Sequence, residues 1–315
     1  MRTLVAEPLP SPARVHDSAR PRLVVGLVQT RWHEDAAEHA AVLSDGIASA
    51  AAAGAEVVFL PELSLLRYPA DTRPDVLPDG SAEPLEDGPT FQFAARCASQ
   101  SNLLVHASLY ERSDGPGGRG YNTAILVSPD GRLLARTRKL HIPITTGYYE
   151  DQYFRPGPAV DPHPVLDLAV PSAAKVGLPT CWDEWFPELA RAYGLAGAEV
   201  LAFPSAIGSE PDHPDFDTEP LWRQVIVGNA ITNGLFMVVP NRWGDEGLIS
   251  FYGSSFICDP YGRILVRAPR SADAALVASL DLAQRQDWLD LFPFLATRRP
   301  DTYGVLVEGD TARRP

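Results

Sequence analysis

Apolar positions along the chain fall into short continuous runs separated by longer periodic segments. Residues 22–29 (RLVVGLVQ) are an apolar run bounded by polar residues, which predicts a buried strand. Residues 35–53 are rich in alanine and contain no proline and a single glycine, Gly46, so they predict a helix that Gly54 stops. Residues 56–60 (EVVFL) predict a second buried strand, ended by Pro61. Strand, helix and strand in that order indicate an α/β protein.

The pattern then recurs. Val25-Gly26-Leu27 returns as Val176-Gly177-Leu178, and residues 55–61 (AEVVFLP) are echoed by 198–204 (AEVLAFP). Residues 102–107 (NLLVHA) resemble 234–239 (GLFMVV), and 130–136 (DGRLLAR) resemble 261–267 (YGRILVR). Any one block is a generic strand or turn, but four in the same order predict a duplicated half. Two sheets, each with helices on one face, bury both inner faces when packed together. The predicted architecture is therefore a four-layer α-β-β-α sandwich with pseudo-two-fold halves. No Gly/Ser linker divides the halves, so residues 22–308 are expected to form one domain, flanked by a mobile extension (1–21) and a tail (309–315).

Composition narrows the function classes. A net charge of −13 over 315 residues argues against nucleic-acid binding, which needs clustered Lys and Arg. Three widely spaced cysteines, Cys97, Cys181 and Cys258, form neither a disulfide framework nor a zinc-ligand pattern, so a reducing, cytoplasmic setting is expected. No apolar stretch reaches membrane-span length, and residues 1–20 lack the apolar centre of a secretory signal.

Four residues stand out chemically. Cys181 lies between a strand-like run and a helix-like run, where a thiol can point into a crevice and a helix N-terminus can favour the thiolate. A lone cysteine is more often a buried apolar residue. Glu62 follows Pro61 at the carboxyl end of a strand, where α/β sites lie, although a surface glutamate opening a loop looks the same. Lys139 and Lys175 are the only lysines in a chain that otherwise uses arginine, so Lys139 beside Arg138 suggests a task for a compact ammonium rather than a solvated basic face. Glu150 sits among Tyr148, Tyr149 and Tyr153, a set that suits either a pocket for a polar or cationic ligand or an exposed loop.

Taken together, the segments FLPEL around Glu62, RKLHIP around Lys139 and GLPTCWD around Cys181 resemble the nitrilase (carbon–nitrogen hydrolase) superfamily, which places Glu, Lys and Cys in that chain order. The likeness runs from about residue 22 to 307. Within the superfamily, GYYE (147–150), CWDEWFPE (181–188), FPSAIGSEP (203–211), Asn241-Arg242 and RRPDTY (298–303) are similar to N-carbamoylputrescine amidases. Ile144-Thr145-Thr146, Glu184 in place of a usual Gln, and residues 225–230 depart from that group.

The resemblance implies a cysteine-dependent amidohydrolase needing no metal or organic cofactor. Cys181 would form a thioester or thiocarbamate, with Glu62 as general acid and base. Lys139 and the Trp182 N–H would hold the oxyanion, and Glu150 would position substrate or water. Trp182, Asp183, Glu184, Tyr148, Tyr149 and Ser205 are the expected substrate contacts. Acidic and aromatic residues after Cys181 suit a cationic amine end better than a carboxylate, which Arg would clamp. The alternative for Asp183 and Glu184 is a helix-start cap. The implied partner is a small carbamoyl or amide substrate, and the implied assembly is a homodimer or larger oligomer. An ω-amidase, an aliphatic amidase or a biosynthetic tailoring hydrolase would use the same machinery on another amide; a catalytically silent scaffold would share only the fold.

Overall fold

The computed structural model describes residues 1–75 and 80–308; the expected tail at 309–315 lies outside the described residues. Strand β1 (Arg2–Val5) opens the chain, followed by β2 (Leu23–Gln29), helix α1 (Ala36–Ala52), β3 (Val57–Phe59), α2 (Pro89–Ser101), β4 (Leu104–Glu111), β5 (Tyr121–Val127) and β6 (Leu133–Arg138). A short helix, α3 (Glu150–Tyr153), leads into β7 (Val165–Asp167), β8 (Lys175–Gly177), α4 (Pro187–Leu195), β9 (Val200–Ala202), α5 (Glu219–Asn233) and β10 (Phe236–Val239). The chain finishes with β11 (Trp243–Asp245), β12 (Ser250–Tyr252), β13 (Phe256–Cys258), β14 (Ile264–Arg267), β15 (Ala274–Leu280) and α6 (Ala283–Leu291).

Among the described residues one sheet has the order β1-β15-β2-β3-β4-β5-β6 and the other β14-β13-β10-β9-β8-β7, with β11-β12 a separate hairpin. The duplication is visible strand by strand. In the first sheet β2, β3 and β4 run parallel and β5 and β6 antiparallel; in the second, β8, β9 and β10 run parallel and β13 and β14 antiparallel. The repeated sequence blocks fall on these equivalent strands. Helices α1 and α2 cover the first sheet, with Ile47 and Phe93 packed on Val58 and Val105. Helices α4 and α5 cover the second, with Tyr193 and Trp222 against Leu201 and Met237. Between the sheets, Leu27, Phe59 and Leu126 meet Val176, Val200 and Phe236 in one apolar layer.

The recurring glycine of the Val-Gly-Leu block has a packing reason. A Cβ at Gly26 would lie 2.8 Å from the Ala50 Cβ of α1, and one at Gly177 would lie 2.6 Å from the Tyr193 ring of α4. In both halves the covering helix crosses its first strand too closely for a side chain.

The structure corrects the expectation of a mobile N-terminal extension. Residues 2–5 pair in parallel with β15, which lies antiparallel to β2. Arg14 then bonds Asp281 at 2.7 Å and Asp287 at 2.8 Å, and Arg20 bonds Glu199 at the entry to β9. The polar residues that looked like a solvated leader are the attachment points. Among the described residues no helix is long and apolar enough to cross a membrane.

Candidate active site

Glu62 stands three residues beyond β3, where the chain leaves the sheet and turns back through Leu63 at a φ of 49°. Its side chain is fully buried. Oε1 accepts from Lys139 Nζ at 2.8 Å and from Asn122 Nδ2 at 2.7 Å. Oε2 is buried with no partner among the described residues. Lys139 follows β6 directly, and its N–H donates to the Asn122 carbonyl at 2.9 Å. That bond turns its side chain inward, where Nζ also donates to Glu150 at 2.7 and 2.9 Å. Tyr68 Oη donates to the same Glu150 at 2.9 Å.

Cys181 comes from the other half, four residues after β8 and at the first position of a 3-10 turn over Cys181–Trp185. Its N–H donates to the Pro204 carbonyl at 3.0 Å, and its φ of 41° is in the left-handed region. For a residue with a Cβ that conformation costs about 1–2 kcal/mol, retained here by the surrounding packing. Glu62 and Cys181 are thus carried by the loops after β3 in the first half and β8 in the second, and the sheet packing brings the loops together. The Trp182 N–H lies in the first turn, where helical hydrogen bonding supplies no internal partner.

Burial sets the protonation pattern. It pushes the Cys181 thiol well above its ordinary range, a shift that Glu62 deepens and Lys139 opposes. The expected resting thiolate is therefore not favoured: a five-residue turn does not offset desolvation among carboxylates. Burial likewise raises Glu150 to about 7 against the pull of Lys139. Burial disfavours the Lys139 ammonium, but Glu150 and Glu62 outweigh it and hold the group charged. A protonated thiol, a carboxylate with one free oxygen and a fixed ammonium can together deprotonate sulfur only as it attacks.

Cys181 opens onto a cavity of about 70 Å³. Its apolar walls are Pro143, Trp182, Ala206 and Ile207; its polar groups are Thr145, Tyr148, Glu150, Cys181 and Glu210. Trp182, Tyr148 and Glu150 thus line the same cavity as Cys181. Among the described residues no cluster of His, Cys, Asp and Glu is arranged to hold a metal ion.

Four expected substrate contacts lie elsewhere. Asp183 is buried and accepts from the Thr180 N–H at 3.2 Å, the His141 N–H at 2.9 Å and His141 Nδ1 at 2.7 Å. It ties the Lys139 loop to the Cys181 turn, so the capping alternative holds. Glu184 points into the α5 core, accepting from Trp222 Nε1 at 2.5 Å, and burial pushes its carboxyl well above the usual carboxylate range. Ser205 Oγ donates to the Phe203 carbonyl at 3.0 Å, away from the cavity. Tyr149 stacks outward under the Arg73 guanidinium, 4.8 Å from its ring centre. In the departing segment 225–230, Ile226 and Ala230 pack in the core, and Asn229 donates to the Glu184 backbone carbonyl.

Sequence reasoning missed Asn122, Tyr68 and Glu210. A polar Asn122-Thr123 pair inside an apolar strand was a usable signal, because buried polar groups need partners. Tyr68 gave none, since its contact with Glu150 spans 82 residues. Glu210 lies in the FPSAIGSEP segment, where a lone carboxylate carries no mark of facing a cavity.

The carbon–nitrogen hydrolase family model matches residues 24–290. A citrullinase of Francisella tularensis subsp. tularensis is 36% identical over 287 residues, covering 90% of this chain and 97% of its own. An N-carbamoylputrescine amidase of Arabidopsis thaliana is 34% identical over 307 residues, covering 93% and 98%. Among solved structures, a carbon–nitrogen hydrolase from Helicobacter pylori G27 superposes with a TM-score of 0.75 at 28% identity, covering 91% of this chain and 99% of that one. With its duplicated sandwich and its buried Glu, Lys and Cys, the chain belongs to the carbon–nitrogen hydrolase family of the nitrilase superfamily and is a hydrolase of non-peptide carbon–nitrogen bonds.

Proposed function

We propose that the protein hydrolyses an N-carbamoyl amine with a cationic far end, of the N-carbamoylputrescine type, to the amine, CO2 and ammonia. The observation that carries this reading is the cavity lining: Cys181 faces a small aromatic and apolar space that also contains the Glu210 carboxyl, and among the described residues none that line it is basic. A carboxylate favours an ammonium end, whereas a substrate carboxylate would require a cation.

In the proposed sequence Glu62 Oε2 takes the Cys181 proton as sulfur attacks the ureido carbon. Lys139 Nζ and the Trp182 N–H receive the developing oxyanion. Collapse breaks the bond to the terminal nitrogen, which leaves as ammonia with the proton held by Glu62. The remaining thiocarbamate is attacked by water, whose proton Glu62 accepts. The carbon–sulfur bond breaks, Cys181 regains a proton, and the released carbamate loses CO2 to give the amine. Glu150, near neutrality in its proton affinity, holds Lys139 and borders the water's approach.

The citrullinase relative motivates a second reading, in which the ureido substrate also carries an α-carboxylate. Ammonia release from N-carbamoylputrescine and from citrulline, each with Cys181→Ala as control, separates the two. Faster release from N-carbamoylputrescine, lost in the variant, supports the proposal; a preference for citrulline replaces it. Assembly as a homodimer or larger oligomer is part of the proposal, supported by exposed Leu291, Phe292, Val305, Leu306 and Val307. Light scattering that finds only monomer would remove that part.

A further inference from the structure

Glu62 and Glu150 enter the site from different segments, yet one buried ion pair from the second half reaches both. Arg242 and Glu246 flank β11, and their side chains are 4% and 3% exposed. Arg242 Nη1 donates to both Glu246 oxygens at 2.9 Å and to the Leu66 carbonyl at 3.1 Å. Nη2 donates to the backbone carbonyls of Glu62 at 2.7 Å and Leu63 at 3.1 Å. Glu246 Oε2 accepts the Tyr68 N–H at 2.8 Å, and Tyr68 Oη donates to Glu150 Oε1 at 2.9 Å.

The segment held in this way needs holding. Leu63 sits at positive φ, and the carbonyls of Glu62, Leu63 and Leu66 converge on one guanidinium. Converging carbonyl dipoles repel unless a cation lies between them. A buried ion pair is a poor source of stability, because desolvating both charges offsets their attraction. Its geometry is the more informative property. Two arms of a rigid, planar cation meet four separate acceptors, which an ammonium on a flexible stem does not reproduce.

We propose that Arg242 and Glu246 are positioning residues for both site carboxylates, Glu62 through its own backbone carbonyl and Glu150 through Tyr68. The pair links the two halves of the sandwich so that the free oxygen of Glu62 stays aligned with Cys181. This rests on the proposed roles of Glu62 and Cys181, but not on the identity of the substrate.

The test is the pH dependence of Cys181 alkylation by iodoacetamide in the full chain, with fold checked by circular dichroism and thermal unfolding. The charged and titratable groups acting on the thiol are Glu62, Lys139, Glu184 and Glu150. A misplacement of the order of 1 Å costs about 100-fold in rate, so Arg242→Lys is expected to slow alkylation at neutral pH by about that factor and move its pH profile upward. Low concentrations of guanidinium are expected to restore about a tenth of that loss or more to Arg242→Ala, as a re-supplied cation realigns the carbonyls. Glu246→Gln, which keeps the side-chain shape, and Tyr68→Phe, which leaves the pair intact but removes its link to Glu150, carry the test should the Arg242 variants not fold. Alkylation rates and profiles matching the unsubstituted protein in folded Glu246→Gln and Tyr68→Phe would overturn the positioning role. Failure of the unsubstituted protein to alkylate selectively at Cys181 would instead remove the proposed roles of Glu62 and Cys181.

Discussion

Cys181 is surrounded by the carboxyl groups of Glu62, Glu184 and Glu150 and by the single ammonium of Lys139. Desolvation keeps its proton in place, so in the proposed mechanism reactivity depends on the Glu62 oxygen that has no partner among the described residues rather than on a standing thiolate. Glu210 is the residue whose charge most directly tests the proposed substrate. Glu210→Gln is expected to raise KM for N-carbamoylputrescine about tenfold, the weight of one charged hydrogen bond, with kcat nearly unchanged. An N-carbamoyl alkylamine without the second amine should show no such change; equal KM for both substrates in the variant and its parent would sink the assignment. His106 tests burial in a different way. Among the described residues both its ring nitrogens are without hydrogen-bond partners, and burial lowers its pKa to about 3. Unfolded, it takes a proton near 6.5, so its contribution is fully present above that pH and fades as pH falls towards about 3. Over that window stability falls by about 1.4 kcal/mol per pH unit from this residue. His39, lowered by burial to about 4, adds a similar loss. Replacing His106 by Leu should flatten the acid limb of a plot of melting temperature against pH, and an unchanged slope would contradict the assignment.

At the level of elements, the covering helices owe their closeness to two equivalent glycines. Gly177→Ala would drive a methyl into the Tyr193 ring and Leu201. Overpacking of this kind costs about 1–3 kcal/mol, read as a lower urea midpoint at constant slope. Gly228 offers the contrasting case. It lies inside α5 with open space where a Cβ would be. Gly228→Ala should therefore stabilise by about 0.4–1 kcal/mol, because alanine loses less backbone entropy in a helix. Gly177 ends a strand and Gly228 lies within a helix, and the opposite signs follow from what an added Cβ would meet in each place.

For the whole molecule, the N-terminal segment acts as a tie between layers. β1 extends the first sheet, while Arg20 reaches Glu199 beside the second and Arg14 reaches Asp287 in α6. Deleting residues 1–21 should lower the thermal midpoint while leaving Cys181 alkylation by the folded protein unchanged, because the cavity is lined by residues between Pro143 and Glu210. A fall in alkylation at temperatures where the truncated chain is fully folded would show that the tie also shapes the site.

The sequence by itself determined the duplicated α/β architecture, because strand period, helix period and their repetition are local properties that survive without knowledge of partners. It also singled out Glu62, Lys139 and Cys181 as candidates by their place beside strands and their motif context, and Glu150 by the tyrosines around it. Only the tertiary structure decided which neighbours of those residues face substrate. Asp183 and Glu184 adjoin Cys181 in the chain, yet the tight turn sends them into the protein, where backbone N–H groups and Trp222 engage them. The partners of Asn122, Tyr68 and Arg242 at the site came from contacts between segments distant in the chain. The N-terminal extension followed the same rule: its arginines read as solvated until their carboxylate partners, up to 273 residues away, were brought beside them. A side chain's direction is set by what packs against it, and packing between sheets is information that no local pattern carries.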